Sequence, residues 1–159
     1  MPNTLLFQTV CKNERGTAAL AASLAAVLQP GALVALTGDL GAGKSTFARA
    51  FIRARLANLE AEVPSPTFTL VQTYDDPNGI EIWHADLYRL SEAEEVYELG
   101  LDDARDDAIC LIEWPDRMPA YWWDDALEIK LDIGGEGVRK LAFHGEAARW
   151  RGLLEGFGT

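Results

Sequence analysis

The chain has 159 residues, 48% hydrophobic and 25% charged, which is the composition of a folded globular domain rather than a disordered one. Its 25 acids against 14 bases leave a formal charge of −11. That balance argues against direct gripping of nucleic acid through phosphates, and against an anionic membrane surface as partner. Two cysteines, Cys11 and Cys110, are too few for a disulfide framework and are expected as reduced thiols. No apolar run nears the roughly 20 residues of a membrane span. The first residues, Met1 to Gln8, lack a basic region ahead of an apolar stretch and are not expected to form a signal peptide. The expectation is a cytoplasmic protein folded as one domain over residues 1–159.

In chain order, Leu5 to Cys11 reads as a strand with rough alternation. Thr17 to Leu28, rich in Ala and Leu, reads as a helix stopped by Pro30-Gly31. Ala32 to Thr37 is a short, almost wholly apolar strand, and its lack of alternation predicts burial on both faces, as in a parallel sheet. Ser45 to Leu56 predicts a helix with Phe47, Ala48, Phe51, Ile52 and Leu56 on one side. Thr67 to Tyr74 is β-branched and aromatic, hence a strand. The turn Asp75-Asp76-Pro77-Asn78-Gly79 then joins it to a second strand, Ile80 to Leu87. That turn lacks the glycine and distal Glu spacing of a calcium loop. Ser91 to Glu94 fits a capping box for a helix ending at Gly100. The acids Asp102, Asp103, Asp106 and Asp107 read as a solvated face. Ala108 to Ile112 is another apolar strand. Ala126 to Ile133 and Val138 to Phe143 predict a hairpin, and Glu146 to Glu155 a closing helix. Strands and helices alternate, so the fold class is α/β: a mostly parallel central sheet flanked by helices, with antiparallel additions.

The chemistry centres on Gly38-Asp39-Leu40-Gly41-Ala42-Gly43-Lys44-Ser45, which matches the P-loop pattern at every fixed position, between a buried strand and a helix. Glycines let the backbone curl its N–H groups around phosphates, and the next helix adds its positive end. Lys44 brings charge to the phosphates and the Ser45 hydroxyl can ligate Mg2+. Such a loop needs an acidic companion. Glu113 closes the apolar run Ile109-Cys110-Leu111-Ile112, in the manner of a Walker B acid, and Asp86 closes the run from Ile80. Ligands of open α/β sheets sit beyond the carboxyl ends of the strands, within reach of both acids. His84 shares a strand face with Asp86. It could orient a phosphate or a carboxylate, or be satisfied by backbone. Trp122-Trp123 could pack the core or mark a partner surface. Asp132-Ile133-Gly134-Gly135 matches a GTPase tetrapeptide, but it falls in a hairpin turn with no N-K-x-D after it, which favours ATP over GTP.

Four blocks together resemble the TsaE family of bacterial tRNA threonylcarbamoyladenosine biosynthesis proteins. They are Gly38 to Thr46, Ser65-Pro66-Thr67-Phe68-Thr69-Leu70, His84-Ala85-Asp86-Leu87-Tyr88-Arg89-Leu90, and Ile112-Glu113-Trp114-Pro115. The resemblance implies a P-loop NTPase fold and an ATP hydrolase that needs Mg2+, weak alone and dependent on partners. It implies that TsaD and TsaB are those partners and that tRNA is met only through them. It also implies roles. Ser45 and Glu113 would hold Mg2+, while Lys44, Asp86 and Glu113 would serve hydrolysis. Residues Gly38, Asp39, Leu40, Gly41, Ala42, Gly43, Lys44, Ser45 and Thr46 would cradle the nucleotide. Thr67 would lie near the γ-phosphate or the metal in a switch-like segment, and Thr17 near the adenine. Trp114 occupies a family position suited to a nucleotide response or a partner surface. Beyond Pro115 the likeness is loose; Arg139 falls on a family Arg but takes no role. Ser45 stands where the family often has Thr, and either hydroxyl serves.

Two other functions share the loop. A small-molecule kinase would need an acceptor pocket and an Arg-rich lid, and no lid-like Arg cluster follows the P-loop helix. A nucleotide-gated adaptor would use ATP occupancy alone to order the Thr67 segment. An arginine finger is not identifiable; Arg49 and Arg89 are no more than candidates.

Overall fold

The computed structural model describes residues 4–155 and Phe157. Seven strands form one sheet in the order β1-β7-β6-β2-β5-β4-β3. They are β1 (Thr4–Cys11), β2 (Leu33–Thr37), β3 (Val71–Asp75), β4 (Glu81–Asp86), β5 (Ile109–Glu113), β6 (Leu127–Gly135) and β7 (Val138–Gly145). The four central strands, β6, β2, β5 and β4, run parallel. Antiparallel pairs finish both edges: β3 against β4 on one side, β6, β7 and β1 on the other.

The apolar runs explain the parallel centre. In β2, Leu33, Val34, Ala35 and Leu36 are all fully buried, and so are Ile109 to Ile112 of β5. Alternate residues serve opposite faces. Val34, Leu36, Ile109 and Leu111 join a core with Leu20, Leu24, Phe47, Phe51 and Ile52, from the helices α1 (Glu14–Val27) and α2 (Lys44–Leu56). Leu33, Ala35, Cys110 and Ile112 face a second core with Val96, Leu101, Met118, Trp122 and Trp123. That layer carries α3 (Glu95–Glu98) and α4 (Leu101–Asp107). Each fully buried Leu, Ile or Phe contributes about 1.5–3 kcal/mol. The arrangement is helix, sheet, helix, as the α/β reading expects. Both tryptophans of the pair are core residues, and both cysteines are buried free thiols.

Local differences have local causes. α1 starts at Glu14 rather than Thr17, because the Asn13 side chain accepts the Gly16 amide at 2.9 Å and caps the first turn. The stretch expected to begin β3 at Thr67 is instead a turn: the Leu70 amide bonds the Pro66 carbonyl at 2.7 Å, and Leu70 adopts φ +70°. The expected helix from Ser91 is mostly turn. Glu95, not Glu94, accepts the Ser91 and Glu92 amides, and only α3 follows. Gly100, at φ +81°, ends it and launches α4 through the acids read as solvated, which are half-buried or exposed. The closing helix shrinks to α5 (Ala147–Trp150). Asp76 forms a turn as expected, and its Oδ1 accepts the Asn78 and Ile80 amides. Among the described residues, no helix is long and apolar enough to cross a membrane.

Candidate nucleotide and metal site

Residues 38–43 carry the chain from β2 to α2 along the carboxyl edge of the parallel strands. Gly38 sits at φ +144°, and a Cβ there would stand 2.4 Å from the Leu131 carbonyl oxygen of β6. Gly43 precedes α2 at φ +104°, and no side chain caps that helix. Its first amides are therefore available to an anion, with the helix dipole behind them.

Lys44 is buried. Its Nζ donates to the Gly38 carbonyl and lies 4.0 Å from the centroid of the Trp114 ring. Burial pushes the ammonium below its usual range, against the pull of Glu113, Asp86, Asp39 and Asp116. Trp114 itself holds a left-handed conformation, φ 56° and ψ 56°, immediately after β5, and its ring packs against Tyr88 with centroids 4.9 Å apart and planes tilted by 51°. A non-glycine residue in that region stores about 1–3 kcal/mol of backbone strain.

The acids stand in line because the strands are in register. Asp86 is paired with Glu113 across β4 and β5, and Glu113 with Leu36 across β5 and β2. The Ser45 hydroxyl donates to Glu113 Oε1 at 3.0 Å. His84 Nε2 lies 2.6 Å from Glu113 Oε2. The Thr67 hydroxyl donates to Asp86 Oδ2 at 3.3 Å and the Tyr88 amide to Oδ1 at 3.0 Å. Ser65 and Thr67 hydroxyls meet at 2.8 Å.

The loop and both acids open on a cavity of 600 Å³. Leu40, Gly41, Gly43, Lys44, Ser45, Thr46, Thr67, Asp86 and Glu113 all reach it. Gly38 and Asp39 line a neighbouring 380 Å³ cavity, which Lys44 and Trp114 border from the other side. Ala42 is buried and offers its carbonyl to Arg139. Thr17 lines a 100 Å³ recess with Glu14, Thr46 and Arg139. Arg49 and Arg89 line none of these three: Arg49 donates to the Val63 carbonyl at 3.4 Å, and Arg89 lies 5.7 Å over Phe68.

Arg139 and Tyr88 enter the site without a role assigned from sequence, while His84 meets a carboxylate, one of the alternatives left open for it. Arg139 of β7 donates to the Ala42 carbonyl at 2.9 Å and the Gly41 carbonyl at 3.3 Å, so it braces the loop while facing both the main cavity and the recess. Tyr88 packs at a tilt against Trp114, and His84 reaches Glu113. For Arg139 the hint was its match to a family Arg, which gave no role; its partner is 97 residues away.

The donor set suits Mg2+. Ser45 and Glu113 offer hard oxygens side by side, and Mg2+ takes its remaining ligands from phosphates and water. Among the described residues, no three His, Cys, Asp or Glu side chains are grouped so as to hold a metal ion by themselves.

A glycine loop between a buried parallel strand and a helix, with acids at the ends of the next two strands, defines a P-loop fold. The sequence model described as "Threonylcarbamoyl adenosine biosynthesis protein TsaE" matches residues 11–141. The chain is 40% identical over 130 residues to a tRNA threonylcarbamoyladenosine biosynthesis protein TsaE of Rickettsia felis, covering 82% of this chain and 75% of that one. It is 34% identical over 144 residues to the Bacillus subtilis protein of that name, covering 90% and 88%. The crystal structure of Bacillus subtilis YdiB superposes with a TM-score of 0.76 at 28% identity, covering 98% of this chain and 96% of that one. The chain belongs to the TsaE family.

Proposed function

We propose that this chain is a Mg2+-dependent ATP hydrolase, folded as one cytoplasmic domain, that works in threonylcarbamoylation of tRNA adenosine with the TsaD–TsaB enzyme pair. The observation that carries the reading is the junction of the P-loop with the strand-end acids: Ser45 on Glu113 at 3.0 Å, Thr67 on Asp86 at 3.3 Å, both facing the cavity that Lys44 lines. The pathway comes from the names of the relatives; the partners come from the family resemblance.

In this reading Gly38 to Thr46 cradle the phosphates, and Lys44 leaves the Gly38 carbonyl and the Trp114 ring to meet them. Ser45 and Glu113 would hold Mg2+, which would supply neutralisation of phosphate charge. Asp86 orients the attacking water, with Thr67 closing over it. Arg139 and Thr17, which share the small recess beside Thr46, flank the nucleoside end. The acidic chain leaves tRNA contact to its partners.

Turnover with and without purified TsaD and TsaB tests this. The isolated chain is expected to bind ATP and hydrolyse it slowly, and the pair to accelerate it. Equal rates would overturn the partner dependence. Lys44→Ala is expected to lose nucleotide binding. Glu113→Ala is expected to retain it, lose hydrolysis and fail to support modification; full support by that variant would leave an adaptor, not an ATPase.

A further inference from the structure

His84 is 1% exposed and lies on β4, two residues before Asp86. Its Nε2 is 2.6 Å from Glu113 Oε2, so the carboxylate accepts an imidazole N–H. The other carboxylate oxygen, Oε1, accepts the Ser45 hydroxyl. Each oxygen of Glu113 thus has its own partner, one from β4 and one from α2. The terminal torsion of a Glu is broad and soft. Two donors on opposite oxygens hold the carboxylate plane against that softness.

The imidazole makes this contact at a cost. His84 Nδ1 is buried with no hydrogen-bond partner among the described residues. A polar atom left unpaired in the core is destabilising, and an apolar side chain at the same place would carry no such penalty. Packing alone therefore gives no reason for histidine here; the Glu113 contact does.

We infer that His84 is a positioning residue for the divalent metal: it locks the Glu113 carboxylate so that Oε1 faces the Ser45 hydroxyl and the cavity. The inference rests on the Mg2+-nucleotide reading of the site. It makes His84 act through Glu113, without touching nucleotide or metal.

The test compares His84→Gln with His84→Asn. Both carry an amide, but only Gln extends its nitrogen to the position of the imidazole Nε2. Mn2+ is titrated by electron paramagnetic resonance onto each protein saturated with a non-hydrolysable ATP analogue. Analogue affinity is measured separately in EDTA. His84→Gln is expected to bind Mn2+ within a few-fold of the unchanged protein. His84→Asn is expected to bind it about 10–100-fold more weakly, the usual range for loss of a group that orients a metal ligand, with unchanged affinity in EDTA. In a Glu113→Gln background, His84→Asn is expected to add nothing. Equal Mn2+ affinity for the Gln and Asn variants would overturn the inference, as would an equal fall for His84→Asn in EDTA. Should His84→Asn lose its cooperative melt, His84→Leu takes its place with the same two expectations. If the unchanged protein holds nucleotide but no Mn2+, the metal reading itself falls, and this inference with it.

Discussion

Removing the Asp76 carboxylate should loosen the helix–hairpin junction without touching the site. Asp76 Oδ2 accepts from Arg55 at 2.8 Å, and the two side chains are 3% and 13% exposed. Arg55 also donates to the Ala25 and Leu28 carbonyls, so one guanidinium ties α1, α2 and the β3–β4 hairpin. Asp76→Ala strands the Asn78 and Ile80 amides as well as the cation. Breaking a buried pair costs about 3–5 kcal/mol, and the two carbonyls left to Arg55 put this one near 3 kcal/mol. At about 2–4 °C per kcal/mol for a chain of this size, Tm falls by roughly 6–12 °C. Burial alone would push the Asp76 carboxyl up; the Ile80 and Asn78 amides and Arg55 outweigh it and hold the group below its ordinary 3.8. A lowered folded-state pKa stabilises above the unfolded value and is lost as pH falls through the folded one. The gap between the unchanged protein and Asp76→Ala, measured by urea denaturation, should therefore be full at pH 7 and shrink below about pH 4. Nucleotide affinity below Tm should not change. A gap under about 1 kcal/mol at pH 7, the scale of exposed pairs, would refute the reasoning, as would a gap that does not narrow as pH falls below about 4.

Three further outcomes are expected. Gly38→Ala places a methyl 2.4 Å from the Leu131 carbonyl, and because that neighbour is backbone, the loop must move. ATP binding should fall at least tenfold by calorimetry, with a lower Tm. Nucleotide binding should change tryptophan fluorescence as Lys44 leaves the Trp114 ring, and Trp114→Phe should abolish most of that change. Cys110 is fully buried and its thiol is pushed up to about 12 by burial, so a disulfide reagent at pH 8 should label it only after denaturant is added.

The parallel centre of the sheet was legible because double-sided burial leaves unbroken apolar runs, as in β2 and β5. The P-loop was legible because phosphate cradling restricts residue types at fixed spacing. The 67–70 turn was not, because Pro66 and a left-handed Leu70 overrode a β-prone composition. Nor was α4, whose single buried anchor, Leu101, leaves little periodicity among acids. At the site, Asp86 and Glu113 could be read from strand ends, since register sets them side by side. The Arg139 brace and the His84 contact join residues far apart in sequence, and no local spacing encodes them.

The backbone at the end of β4 is shared. The Asp86 amide donates to the Leu70 carbonyl at 2.9 Å, while the Asp86 side chain accepts from Thr67. The segment carrying Thr67 is thus sewn to Asp86 at two points, one main-chain and one side-chain. Swinging it open would break the Thr67 bond to the acid and pull on the main-chain bond beside it. Opening of that segment and displacement of the Asp86 carboxylate are therefore coupled. If Asp86 serves hydrolysis as proposed, an open pocket would also be an idle one, and ATP held there would wait for the segment to close.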